Sequence, residues 1–275
     1  MSSQKVCYVS AFLNLNRGGW SQFSRTTHEY FRAFIPILNL FKKQDISKEE
    51  EELDDHLVLF MDDSFVLSED LISQYRLTVY PISHESMSSR FCWSHIGMER
   101  FIMSTERFKL LVGHRKKFPE HSFPEYSMIN HSKIDFIDQA MTEFPAYNLF
   151  SWVDFGYCAL PERIPTALVD PSKLDCTRVT YTLINPMTED DRDILKTLRK
   201  APERMGGFFF FGPRDALTTY RDLYRETLLE FQNDYGITDD DQALAQVCYF
   251  KNPDLFSLVH LGKWHAALCA FQKTN

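Results

Sequence analysis

Lys5-Val6-Cys7-Tyr8-Val9-Ser10-Ala11-Phe12 reads as a strand, and Asn14-Leu15-Asn16-Arg17-Gly18-Gly19-Trp20 follows it as a polar loop holding a glycine pair. A run rich in Val and Tyr favours extended backbone, and paired glycines interrupt it. The next segment predicts a helix to about Lys43, with Ser21 as its cap, Pro36 as a candidate kink, and Phe23, Tyr30, Phe31, Phe34, Leu38 and Phe41 near helical spacing. His56-Leu57-Val58-Leu59-Phe60-Met61, stopped by Asp62-Asp63, is a second strand. Ser68 to Tyr75 reads as a short helix, and Arg76-Leu77-Thr78-Val79-Tyr80-Pro81 as a third strand. Strand, helix, strand, helix, strand at this spacing predicts a parallel sheet with crossover helices.

The rest extends the pattern. Ser86 to Arg115 is mostly helical, Lys116 to Ser127 reads as a loop with two prolines, and Ser132 to Thr142 as a helix. Tyr147 to Tyr157 is a strand ending at Asp154 and Gly156. Further on, strands are expected at Arg178 to Ile184, Gly206 to Gly212 and Phe256 to His260, and helices at Glu189 to Leu198 and Arg214 to Asp234. Asp239-Asp240-Asp241-Gln242 opens another helix, with an Asp as cap. No internal repeat or interdomain linker interrupts the chain.

The 275 residues suit one large domain, and 24 Phe supply an ample core. A net charge of -8 argues against a nucleic-acid partner, which wants a basic face. Part of the excess acid lies in Gln44 to Asp55, with Glu49 to Glu52 in a block, read as a solvated loop or helix end. No secretory signal follows Met1, and no run approaches the roughly 20 apolar residues of a membrane span. Cysteines at 7, 92, 158, 176, 248 and 269 form no CxxC and read as reduced thiols, so the expected location is cytoplasmic.

Few familiar motifs fit. Asp154-Phe155-Gly156 and Ala201-Pro202-Glu203 invite a kinase reading, but a Gly-rich loop and a His-Arg-Asp are missing. Walker A, GxSxG and HExxH sequences are also absent. The carboxylates at element ends say more. Asp154 either projects into the crevice where α/β sheets bind ligands, as a hard oxygen ligand for Mg²⁺ or Mn²⁺, or is a turn residue before Gly156. Asp240 and Asp241 either cap a helix or face the cleft as a general base.

Taken together, Val9-Ser10-Ala11-Phe12…Asn16-Arg17-Gly18-Gly19-Trp20, Phe60-Met61-Asp62-Asp63, Met128-Ile129-Asn130-His131-Ser132-Lys133, Trp152-Val153-Asp154-Phe155-Gly156, Gly206-Gly207-Phe208 and Asp240-Asp241-Gln242 resemble the HtrL/YibB (WlaTC-type) family, whose members are regarded as glycosyltransferases. The resemblance spans nearly the whole chain. It implies a single GT-A-like domain over residues 1–275, Rossmann-type, with a central mostly parallel sheet flanked by helices. About 1–157 would bind a nucleotide sugar, with a UDP-sugar as the expected donor, and about 158–275 a glycan acceptor.

The resemblance also implies roles. Phe12 and Arg17 would contact base and phosphate, Asp62 the nucleoside and Lys133 the diphosphate, with Asn130 also in the nucleotide-sugar site. Asp154 would correspond to the metal-binding carboxylate of the DxD motif of GT-A enzymes, yet that motif's second carboxylate is missing, because position 156 is Gly. His265 matches the placement of a C-terminal metal-binding His, so Asp154 and His265 are the expected ligands of Mn²⁺ or Mg²⁺. Asp241, with Asp240 second, would deprotonate the acceptor, with inversion at the anomeric carbon. Two alternatives stand beside this reading: a degenerate GT-A-like module binding glycan or protein without catalysis, and an unrelated nucleotide-binding enzyme such as a nucleotidyltransferase.

Overall fold

Along β1 (Val6–Phe12), Cys7 and Val9 pack on one face, and Val6, Tyr8 and Phe12 on the other, and all five are buried. A strand apolar on both faces must lie inside a sheet covered on both sides. The computed structural model describes residues 4–43 and 54–274 and shows that arrangement. Among the described residues, β1, β2 (His56–Asp62), β3 (Leu77–Ile82), β4 (Leu149–Val153), β5 (Val179–Leu183), β6 (Met205–Pro213) and β7 (Phe256–His260) form one sheet in the order β3-β2-β1-β4-β6-β5-β7. The pairs β1–β2, β2–β3, β1–β4 and β5–β7 are parallel. β6 runs antiparallel to both β4 and β5, so it alone is reversed. The protein is thus mixed α/β, with a mostly parallel sheet flanked by helices.

The two faces carry different layers. On one lie Phe136, Ile137 and Ala140 of helix Lys133–Glu143, Leu217, Tyr220, Tyr224 and Leu228 of helix Arg214–Glu230, and Leu244, Ala245 and Cys248 of helix Asp241–Lys251. On the other lie Phe34 and Ile37 of helix Thr27–Asn39 and Leu268 and Phe271 of helix Ala267–Phe271. β6 serves both, sending Phe210 to the first face and Phe209 and Phe211 to the second. Cys7, Cys92, Cys158 and Cys248 are buried, Cys176 and Cys269 half-buried, and all six are unpaired thiols. No helix among the described residues is long and apolar enough to cross a membrane.

Several boundaries differ from the sequence expectation. The first helix starts at Thr27, not after Ser21, because Thr26 and Glu29 form a capping box: Glu29 N donates to Thr26 Oγ1 at 3.3 Å, and Thr26 N to Glu29 Oε2 at 2.7 Å. It ends at Asn39 and contains Pro36. The segment from Ser86 is broken into short helices, including Phe91–Ser94, Ile96–Ser104 and Glu106–Val112. The supposed loop Lys116 to Ser127 holds helix Pro119–Ser122 and leads into Pro124–His131, each with its proline in the first turn, where no amide hydrogen is needed. Glu189 to Leu198 divides into a 3₁₀ turn, Glu189–Arg192, and helix Ile194–Lys200. The helix after β6 ends in a π turn, Phe231–Tyr235, before Gly236 at φ 57°. Glu49 to Glu52 lie outside the described residues. Asp55, placed in the same solvated stretch, is instead buried, accepting from Val6 N at 2.8 Å and Lys273 Nζ at 2.6 Å.

The Glu99 carboxyl group is enclosed with no cation on it among the described residues. Glu99 is fully buried and accepts from Gln232 Nε2 at 3.0 Å and from the Thr238 hydroxyl. Burial outweighs these bonds and pushes its pKa up to about 7. A carboxyl whose pKa is raised on folding contributes stability below its unfolded pKa, and that stability is lost as pH rises through the folded value. Glu99→Gln is expected to remove a decline of up to about 3 kcal/mol between about pH 4.5 and 7. Urea unfolding at pH 4.5, 6 and 8 reads it, and an unchanged slope against pH refutes the assignment.

Candidate functional site

The strand order reverses direction between β1 and β4, since the chain builds β2 and β3 on one side of β1 and β4 on the other. At such a switch point the loops leaving the two strands diverge and open a crevice at their carboxyl ends. A cleft of about 460 Å³ lies there. Leu13, Asn14 and Arg17 line it from the loop after β1, and Asp154, Phe155 and Gly156 from the turn after β4. Asp154 therefore does not end a hairpin: β4's antiparallel neighbour is β6, more than fifty residues on.

Lys133 is the centre of the cleft's floor. It is 6% exposed, and its Nζ donates to Gly207 O at 2.9 Å and to Asp241 Oδ2 at 2.9 Å, and lies 3.0 Å from Asp154 Oδ1. Burial works against its charge, but Asp154 and Asp241 outweigh burial and raise its pKa. Trp152 Nε1 donates to the same Asp154 Oδ1 at 2.7 Å, leaving Oδ2 without a hydrogen-bond partner among the described residues. Gly207 is required beside this group, because a Cβ there would collide with the Asp241 carboxylate.

The three consecutive acids are held by three different partners. Asp239 Oδ1 accepts from Asp240 N at 2.9 Å and lies 3.4 Å from His121 Nε2 and 3.9 Å from Arg115. Burial opposes the Asp239 charge, but His121 and Arg115 hold its pKa below the usual range. Asp240 caps helix Asp241–Lys251, its Oδ1 accepting from Gln242 N at 3.1 Å and Ala243 N at 3.3 Å. Burial, and then the charges of Asp239 and Asp241, push the Asp240 carboxyl well up. Asp241 is 5% exposed, and burial raises its pKa to about 6 against the pull of Lys133.

The opposite wall is cationic and aromatic. Arg17 Nη1 donates to Tyr30 Oη at 2.5 Å and Nη2 to Phe23 O at 2.8 Å, and its guanidinium lies 5.1 Å from the Trp20 ring and 5.2 Å from that of Tyr126. Trp20 stacks on Phe123 at 3.9 Å, tying this loop to helix Pro124–His131. Arg25 lies over the Tyr30 ring at 4.8 Å, close against Gly156. Neither arginine has a carboxylate within 4.0 Å among the described residues. His265, at φ 54°, packs on Phe208 at 4.6 Å, and its Nδ1 is buried without a partner. Burial lowers its pKa to about 4, so the ring is neutral at pH 7.

Of the residues expected from sequence, Phe12, Arg17, Asn130, Lys133, Asp154, Asp240, Asp241 and His265 all line this cleft. Two do something other than expected. Phe12 is 5% exposed and packs on Phe155 at 4.8 Å, so its ring belongs mainly to the core. Asp62 is placed outside the cleft, buried, where it accepts from Asn14 N at 2.9 Å and Ser64 N at 3.0 Å and shapes the loop after β1. Asn130 Nδ2 donates to Tyr126 O at 2.9 Å. Arg25, Trp152 and Trp264 were not among the expected residues. The capping-box pattern Thr26-Thr27-His28-Glu29 was the available signal for Arg25, since it moves the helix start past that residue and leaves it in the loop.

Lys133→Met would leave the Asp154 and Asp241 carboxylates facing one another with no cation between them. The expected loss is about 3–5 kcal/mol of stability at pH 7.5. The loss should shrink towards pH 5, where one carboxyl group takes up a proton. Unfolding free energies at the two pH values check this, and an equal loss at both would contradict the electrostatic account.

A family model described as "Bacterial protein of unknown function (HtrL_YibB)" matches residues 4–273. Protein HtrL of Escherichia coli (strain K12) is 23% identical over 276 residues, covering 97% of this chain and 92% of that protein. Among solved structures, a glycosyltransferase involved in the glycosylation of the major capsid of PBCV-1 superposes with a TM-score of 0.39 at 10% identity, over 93% of this chain and 82% of that one. Since the family match runs through nearly every residue, this chain belongs to the HtrL_YibB family.

Proposed function

We propose that the cleft transfers a sugar from a nucleotide-sugar donor, a UDP-sugar in the first instance, to a hydroxyl of a glycan acceptor. One observation carries the reading. Carboxylates and cations face each other at the carboxyl ends of β1 and β4, with Arg17 and Arg25 free of carboxylate partners among the described residues. An anionic diphosphate entering an acidic protein needs such unspent positive charge. Lys133 is spent on Asp154 and Asp241, so its role is to hold those two groups in place, and the arginines are the candidate phosphate contacts.

The residues present fit a divalent cation in part. His265 offers a buried, unpartnered, neutral nitrogen and Asp154 an uncommitted Oδ2. No group of three His, Cys, Asp or Glu side chains among the described residues could hold a metal, so a Mn²⁺ or Mg²⁺ here would need phosphate and water to complete its shell. Such an ion supplies charge neutralisation for a departing diphosphate. Arg17 and Arg25 would bind the same phosphates from the other wall. Asp241, its pKa raised to about 6, is the candidate acceptor of the hydroxyl proton, with Asp240 beside it. One base opposite the leaving group gives inversion.

Thermal-shift measurements with UDP-, GDP- and CMP-sugars, with and without Mn²⁺, test the reading. One nucleotide sugar should raise Tm and be slowly consumed, and Asp241→Asn should lose at least about 100-fold in turnover while keeping the nucleotide's shift. The wild-type rate should climb as pH rises through about 6, where Asp241 loses its proton, and then level off. Full activity in EDTA would remove the metal from the scheme. Stabilisation by no nucleotide would leave a glycan- or protein-binding module in its place.

A further inference from the structure

A second chamber of about 410 Å³ lies against the first, on the far side of the helix start at Asp240. The two share Asp240, Gln242 and Trp264 as a common wall. Its lining comes from Gly113–Lys117, from the end of helix Ile194–Lys200 and the turn after it, and from the first turns of helix Asp241–Lys251.

We infer that this chamber is a subsite for a neutral polyhydroxyl ligand, a saccharide that presents one hydroxyl past Asp240 into the first cleft; the assignment of that saccharide as acceptor rests on the transferase reading. The charge pattern is the first argument. Three Lys or Arg residues and four carboxylates line the chamber, and each cation has a carboxylate within 4.0 Å: Arg115 near Glu120 at 3.6 Å, Lys200 near Asp190 at 3.8 Å, and Arg204 near Asp191 at 2.9 Å. A phosphate would find each cation here already near a carboxylate, unlike Arg17 and Arg25. Sugar hydroxyls both donate and accept, so they suit a wall that mixes carboxylates with guanidinium and amide groups.

An unsatisfied donor is the second argument. Arg115 is 7% exposed; it donates through Nη1 to Leu198 O, yet its Nε is buried with no hydrogen-bond partner. A buried donor left unpaired is costly, and a ligand oxygen reaching the chamber's wall would relieve it. The third argument is the shared wall. Trp264, held by a 3.3 Å bond from its Nε1 to Glu203 Oε2, offers ring surface for the apolar face of a sugar, and Asp240 offers a carboxyl group to a hydroxyl. Asp241 lines the first cleft alone of the two, so a hydroxyl coming from the second chamber passes Asp240 before reaching it.

Saturation-transfer-difference NMR with methyl glucoside, methyl galactoside and methyl N-acetylglucosaminide tests the proposal, with UDP as a separate probe. At least one glycoside should bind, and excess UDP should not displace it. His114→Ala/Lys200→Ala, made at the chamber's exposed rim to preserve folding, should weaken that binding at least about 3-fold, and Ala243→Trp, which fills the chamber, should abolish it. Both variants should keep the Tm rise produced by UDP with Mn²⁺. Glycoside binding that survives Ala243→Trp, that UDP displaces, or that is undetectable in a protein that binds UDP overturns the subsite and leaves the donor reading standing. Glycoside binding sensitive to these variants in a protein that no nucleotide stabilises supports the saccharide site and overturns the donor reading.

Discussion

The buried ammonium of Lys133 ties together four elements that are distant in sequence. It belongs to the first turn of helix Lys133–Glu143, and it meets the carboxylate after β4, the backbone at the start of β6, and the first residue of helix Asp241–Lys251. A charge this enclosed is tolerable only if its partners are fixed within hydrogen-bonding distance. The surrounding sequence serves that need. Gly207 carries no Cβ that would push Asp241 away, and Trp152 takes up the remaining capacity of Asp154 Oδ1. The cleft's shape thus follows from satisfying one cation.

A second constraint comes from the reversed strand. Among the described residues β6 is the only strand running against the others, so its first residues lie beside the last residues of β4. That reversal brings Gly207 and Phe208 to the same edge as Asp154 and sets Phe208 against His265. An all-parallel sheet would place the start of β6 at the far edge. The acidic run 239–241 reaches the same edge by way of the π turn Phe231–Tyr235 and the left-handed Gly236, which is fastened by Arg107 donating to Tyr235 O at 2.7 Å. Each of the three acids then finds its own partner, and the crowding of the three is relieved at Asp240, whose carboxyl is pushed well up.

Much of the architecture was legible in the sequence. The alternation of strand and helix up to Pro81 encodes the parallel half directly, because each strand's apolar run and each helix's periodicity are local signals. Asp154, Lys133, Asp241 and His265, singled out in the sequence, line one cleft, though Lys133 is paired with Asp154 and Asp241. What was not legible depends on distance in space. Nothing local shows that Lys133 would be claimed by two carboxylates, or that Asp62 would turn back to hold the amide of Asn14. Proline positions misled for a related reason: Pro119 and Pro124 can punctuate a loop or open a helix, and neighbouring residues alone do not choose.

The contact between Lys133 and Asp241 spans 108 positions of the chain. While the polypeptide is being made, Lys133 emerges long before β6 and the Asp241 helix exist to receive it. Until they arrive, that ammonium has Asp154 but neither Gly207 O nor Asp241 as a partner, and the loop that must be closed to bring them is long. Final consolidation of the sheet therefore waits for the C-terminal third. The cleft thus cannot be complete before the fold is.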